Sequence, residues 1–150
     1  MDHSVYPIRR VGKELLFFFE SNNYQETNPV TKVVSYDRVE RHGTLYYNLG
    51  FGDFNQGGGH ALDNVVTNNG DMRKVLLTVV STIEIFFTEN PNELIYIEGS
   101  DPIRHAYYHK IIRDYSELIS AHYRVGGFRN GRVESFASQF EYEFLVVSIQ

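Results

Sequence analysis

Seven residues in or just after two polar turns carry the best candidate chemistry in this sequence. Asn68, Asn69, Gly70 and Asp71 form the first turn, Ser100 and Arg104 belong to the second, and Tyr108 follows one helical turn later. Each turn opens an expected helix, so each offers unpaired backbone N–H groups at the positive end of a helix dipole. With the planar donor fork of Arg104 they suit a phosphate or a carboxylate. Tyr108 is the candidate general acid. A plainer role competes at every position. Asp71 and either Ser100 or Asp101 are natural N-caps, and Arg104 can pair with a neighbouring carboxylate. Asp71 also puts its own negative charge where an anion would sit.

The two turns meet only if the strands before them run side by side. Apolar residues at Met72, Val75, Leu76, Val79, Val80, Ile83, Phe86 and Phe87 recur at the spacing of a helix with one buried face. Pro91 ends that helix. The short runs at 65–67 (VVT) and 94–97 (LIYI) read as strands on either side of it. Paired in parallel through the helix, as one right-handed crossover, they would bring both turns to the same sheet edge. A ligand site between the 68–71 and 99–104 turns follows from that pairing alone.

Other constellations are weaker. His105 and His109 lie four apart on a helix, as metal ligands can, but the glutamate of HExxH and a third ligand are missing. Asp53, His60 and Asp63 flank a glycine loop, NQGGGH, that lacks the lysine of a phosphate-binding GxxxxGK[ST]. No GxSxG elbow is present. With no cysteine, thiolate chemistry, zinc-thiolate sites and disulfides are excluded.

The frame around these residues reads as one α+β domain over 1–150, with a mixed sheet. Residues 5–8 suit a short edge strand. ELLFFFE (14–20) is an uninterrupted apolar strand, expected to be covered by a helix on one face and by another layer or a second subunit on the other. Residues 31–39 and 44–51 form a hairpin turning at 41–43. A second helix starts near Pro102 and runs to Gly126-Gly127, read as a left-handed stop. Residues 133–149 alternate as one or two antiparallel strands. The whole is antiparallel N-terminal strands, a central β-α-β-α unit and C-terminal antiparallel strands.

Three segments, YYNLGFGDF (46–54), VVTNNGDMRKVLLTV (65–79) and EGSDPIRHAYYHKI (98–111), resemble a group of short bacterial proteins. That group, found largely in Bacteroidota, shares a domain of unknown function. More distantly, the order of elements is similar to the GCN5-related N-acetyltransferase fold. There too, antiparallel strands precede a strand, a helix, a strand, a helix carrying a tyrosine, and a Gly-Phe before a late strand, as in Gly127-Phe128. The likeness implies acetyl-CoA as cofactor, held at the first of those helices through an [RQ]xxGx[GA] loop. This chain has Asn68-Asn69-Gly70-Asp71-Met72-Arg73 there, with one glycine fewer.

A formal charge of −5 argues against broad nucleic-acid binding. No apolar run approaches the roughly 20 residues of a spanning helix, and the first ten residues lack a signal-peptide core. A cytoplasmic, non-membrane protein is expected. Eleven Phe and eleven Tyr, with the doubly apolar ELLFFFE, point to a protein interface. The leading expectation is therefore a small bacterial interaction or regulatory protein, either a homodimer or half of a toxin-antitoxin or phage-related pair. An acetyltransferase-like enzyme, or an anion- or CoA-binding protein using the two turns, is the alternative.

Overall fold

The helix expected from the apolar spacing is present as α1 (Met72–Glu89) in a computed structural model that describes residues 5–21, 29–55, 60–62, 72–98 and 102–150. Val75, Leu76, Val79, Ile83, Phe86 and Phe87 are buried along it as the spacing requires. Thr78 and Thr82 join them, and each hydroxyl satisfies itself inside the helix. Thr78 Oγ1 donates to the Lys74 carbonyl and Thr82 Oγ1 to that of Val79, both at 2.7 Å. Their lone pairs then accept from outside: Tyr6 N–H bonds Thr78 Oγ1 at 2.9 Å, and Tyr36 OH bonds Thr82 Oγ1 at 2.7 Å.

The described strands are β1 (Arg9–Arg10), β2 (Leu16–Ser21), β3 (Val30–Arg41), β4 (Thr44–Asn55), β5 (His60–Leu62), β6 (Ile95–Ile97), β7 (Tyr123–Arg129), β8 (Arg132–Ser135) and β9 (Phe144–Ile149). Two further helices are α2 (Pro102–Asp114) and α3 (Ser116–Ser120). Hydrogen bonding links the strands in the order β1-β2-β3-β4-β6-β9-β7-β8, with β5 on the end of β4. β4 and β6 pair in parallel, while β1–β2, β2–β3, β4–β5, β6–β9, β7–β8 and β7–β9 are antiparallel. This is the α+β class with a mixed sheet that the sequence implies. The chain gathers into two units, residues 1–36 with 50–89 and residues 37–49 with 90–150.

In the first unit α1 packs on one sheet face. Phe17, Phe19, Val34 and Tyr36 project toward it, with Tyr36 stacked on Phe86 at 4.8 Å and Tyr6 on Phe19 at 5.7 Å. Arg10 ties the end of the helix to the β1–β2 connection. Its guanidinium holds Glu89 at 2.5 and 2.8 Å and bonds the Glu14 and Lys13 carbonyls. That pairing offsets an acid at the negative end of a helix dipole and holds the Glu89 carboxyl below its usual range.

In the second unit α2 covers the face bearing Ile95, Ile97, Leu145 and Val147, all buried. The turn of the β3–β4 hairpin lies here. His42 and Gly43 have φ of 53° and 78°, the two positive values of a type I′ turn, whose twist matches the flanking strands. Asn130-Gly131, at 55° and 79°, makes the same turn between β7 and β8.

Several expectations change. The strand expected at 65–67, as the parallel neighbour of β6, lies outside the described residues. The parallel neighbour observed is β4, through Tyr47↔Ile95 and Asn48↔Tyr96, while β9 takes the other edge. A strand has two hydrogen-bonding edges, and both are occupied. The second helix does not reach Gly126-Gly127: it ends at Asp114, a short α3 follows, and both glycines sit inside β7. Their backbone groups pair with β8 and β9, so no helix stop is needed there. Residues 136–143, read as strand, form an irregular strap ahead of β9. His60, read as loop, begins β5.

Candidate functional site

Asn68, Asn69, Gly70 and Asp71, which precede α1 in the sequence, lie outside the described residues, as does Ser100. Arg104 stands in the first turn of α2. Tyr108, the candidate acid, is 5 % exposed on the packed side of the same helix, with Ile111 and Ile112.

The histidine pair on α2 has a different use from metal binding. His109 is 4 % exposed, and both of its ring nitrogens are engaged. Nδ1–H donates to the His105 carbonyl at 3.1 Å, and Nε2 accepts the backbone N–H of Tyr142 at 3.1 Å. His105 Nε2–H donates to the Tyr142 carbonyl at 2.5 Å. The two imidazoles thus grip both backbone groups of a single strap residue. Burial pushes the His109 pKa below its ordinary value, with opposing help from the His105 carbonyl. Among the described residues no group of three or more metal-ligating side chains gathers. Asp53, also weighed as a metal ligand, is instead paired with Lys32.

That Lys32–Asp53 ion pair was missed in the sequence. Both residues are buried, at 3 % and 8 % exposure, on the sheet face under α1. The signal was available. Lys32 alternates in step with Val34 and Tyr36, Asp53 with Leu49 and Phe51, and a two-residue turn at 42–43 sets 32 opposite 53. They lie near the sheet end formed by Ser21, Val30, Asn55 and His60.

On the other face of the second unit, aromatic rings stack in a column. His42 lies on Phe128 at 4.8 Å, Phe128 on Phe144 at 4.7 Å, and Phe144 on Tyr96 at 4.5 Å. Arg41 caps the Tyr96 ring at 5.5 Å. Tyr96 OH donates to Glu98 at 2.5 Å, and burial together with that carboxylate pushes its pKa up to about 12. It therefore stays protonated at neutral pH and serves as a donor, not a base. The stack explains a histidine where asparagine would suit a type I′ turn better. His42→Ala is expected to lower stability by about 1 kcal/mol, the worth of an aromatic contact. His42→Asn should recover part of that loss through the turn. Thermal melts of the two variants check the order.

The first unit leaves an apolar surface on the face away from α1. In β2, Phe17, Phe19 and Ser21 are buried against the helix side, while Leu16, Phe18 and Glu20 point the other way and are only partly covered. Phe18 meets Phe54 edge to face at 5.4 Å, and Val33 is buried directly opposite Phe18. Arg9, paired in register with Phe18, lies over its ring and forms an ion pair with Glu20. Of the two covers expected for ELLFFFE, the helix is present. The second face is left half-open by the described residues.

A family model described as "Family of unknown function (DUF6934)" matches residues 2–150. No curated protein and no solved structure matches the chain.

Proposed function

The chain belongs to that family of unknown function, whose description names no activity, and we propose from its geometry that it is a small interaction protein pairing with a second copy of itself. The pairing surface is the sheet face of the first unit that α1 does not cover. The observation that carries this is the composition of that face. A half-buried antiparallel sheet ordinarily turns polar side chains to water, whereas here the partly covered Leu16, Phe18 and Phe54 are apolar. Arg9 and Glu20 set both charge signs beside Phe18, as a self-complementary twofold contact needs. A regulatory protein of a bacterial cytoplasm, including a member of a toxin-antitoxin or phage-related pair, would use the same face toward a different chain.

Light scattering after size exclusion tests the proposal. The wild type is expected at twice the chain mass, and Phe18→Glu at the monomer mass with an unchanged circular dichroism spectrum. A wild type that is monomeric at high micromolar concentration removes the self-pairing. A Phe18→Glu variant that stays dimeric moves the contact elsewhere.

A second reading is favoured by one feature, the parallel β4–β6 pair joined through α1 and followed by α2. This is the strand, helix, strand, helix order of the acetyltransferase-like scaffold, with β4 in place of residues 65–67. The residues fit acetyl-CoA poorly. The loop before α1 lacks a glycine of the expected pattern, and Tyr108 is buried in the core. Isothermal titration with acetyl-CoA decides it, and absence of heat at millimolar ligand removes the reading.

A further inference from the structure

We infer that the strap 136–143 is a pH-sensitive latch on the second unit, held by the grip of His105 and His109 on Tyr142 and released when His109 takes up a proton. The grip is asymmetric. His105 donates, so protonating it leaves its bond to the Tyr142 carbonyl intact. His109 accepts at Nε2, and a proton there turns the acceptor into a donor aimed at the Tyr142 N–H. Two hydrogens then face each other in a buried site, and one partner must leave. The helix side cannot yield, because His109 sits in the middle of α2 between buried Tyr108 and Ile112.

Besides the histidine grip the strap meets β7 at its two ends and at one ring: Phe136 N–H bonds the Val125 carbonyl at 3.0 Å, Glu143 N–H that of Phe128 at 2.9 Å, and Arg129 lies over the Phe140 ring at 3.6 Å. Tyr142 covers Gly127, where no side chain interlocks with its ring. Its hydroxyl accepts the Ala137 N–H at 2.9 Å within the strap, and its own proton reaches the Glu134 carboxylate and the Ser135 carbonyl of β8 only at 3.5 Å. Phe136 and Phe140 are only half-buried. The charges around His109 do not prevent uptake. On α2, His105, ring to ring at 4.4 Å, and Arg113 disfavour a second positive charge, while Glu141 on the strap favours it. Tyr142 and Phe136 complete the surroundings from the strap. Beyond Tyr142 lies Glu134 of β8, itself committed to Arg129 of β7 at 3.0 Å.

Hydrogen exchange on the intact chain, corrected for the intrinsic pH dependence, tests the latch. Tyr142 N–H is expected to lose protection about tenfold per pH unit below roughly 6.5, the slope of one proton taken up on opening. The sheet amides of Val125 and Val147 should keep theirs over the same range. In His109→Gln, whose amide oxygen can accept the same bond without titrating, Tyr142 protection should be flat with pH. Protection of Tyr142 in the wild type that stays constant from pH 7.5 to 5 overturns the proposal. So does a loss shared equally with Val125 and Val147, which is global acid unfolding. Should His109→Gln fail to fold, the imidazole NMR signals of the wild type decide alone. A His109 ring that stays neutral while Tyr142 becomes exposed also overturns it.

Discussion

Asp53→Ala is expected to destabilise the chain by about 3–5 kcal/mol, read as a lower urea midpoint at unchanged slope. The magnitude comes from what is left behind. Lys32 Nζ is buried on the α1 side of the sheet, and the Asp53 carboxylate is its ion-pair partner there. Without that carboxylate an ammonium ion is left buried with its ion-pair partner gone. Removing both charges is a different experiment. Lys32→Met with Asp53→Leu keeps the volume roughly constant and is expected within about 1 kcal/mol of the wild type or above it, since buried ion pairs barely recover their desolvation. A single and a double variant with equal losses would mean that packing around β3 and β4, and not charge, sets the cost.

The same pair shows how far the sequence could be read. Period and turn chemistry were legible. The apolar spacing of 72–87 yields α1, and a glycine after His42 yields the hairpin, because both depend on neighbours in the chain. The pairing of Lys32 with Asp53 was also within reach, but only by carrying the register back from the turn through ten residues on each arm. The parallel partner of β6 was not within reach. β4 and residues 65–67 both end ahead of α1, and choosing between them depends on which edge β9, more than forty residues later, leaves free. The pairing from which the candidate ligand site was argued depended on that choice, and Asn68 to Asp71 and Ser100 lie outside the described residues. Glycines were ambiguous for a related reason. At Gly43 and Gly131 the residue supplies a positive φ, whereas at Gly126 and Gly127 it supplies space, and composition alone does not separate the two uses. The missed Asn130-Gly131 turn was the better signal in that stretch.

Gly127→Ala is expected to cost about 3 kcal/mol, against the usual gain of roughly 0.5–1 kcal/mol when a strand glycine becomes alanine. A Cβ at Gly127 would lie 2.3 Å from Cγ and Cδ1 of Tyr142 and 2.6 Å from Cδ2, far inside van der Waals contact. The ring cannot slide away cheaply. Its residue is held to α2 by His109 at the N–H and by His105 at the carbonyl. β7 cannot retreat either, because Gly127 is paired with Glu134 on one side and Leu145 on the other. Gly126→Ala is the internal control. Its Cβ would meet Val133 Cγ1 at 2.7 Å, but Val133 is an exposed side chain on β8 and can turn aside, so a loss of no more than about 1 kcal/mol is expected. A double-mutant cycle separates clash from backbone effects. Tyr142→Ala removes the ring, and adding Gly127→Ala to it should cost nearly nothing, leaving a coupling of about 2–3 kcal/mol between the two sites. Additive losses in that cycle would mean that Tyr142 does not rest on β7 in solution, and the contact that closes the strap over the second unit would have to be found elsewhere.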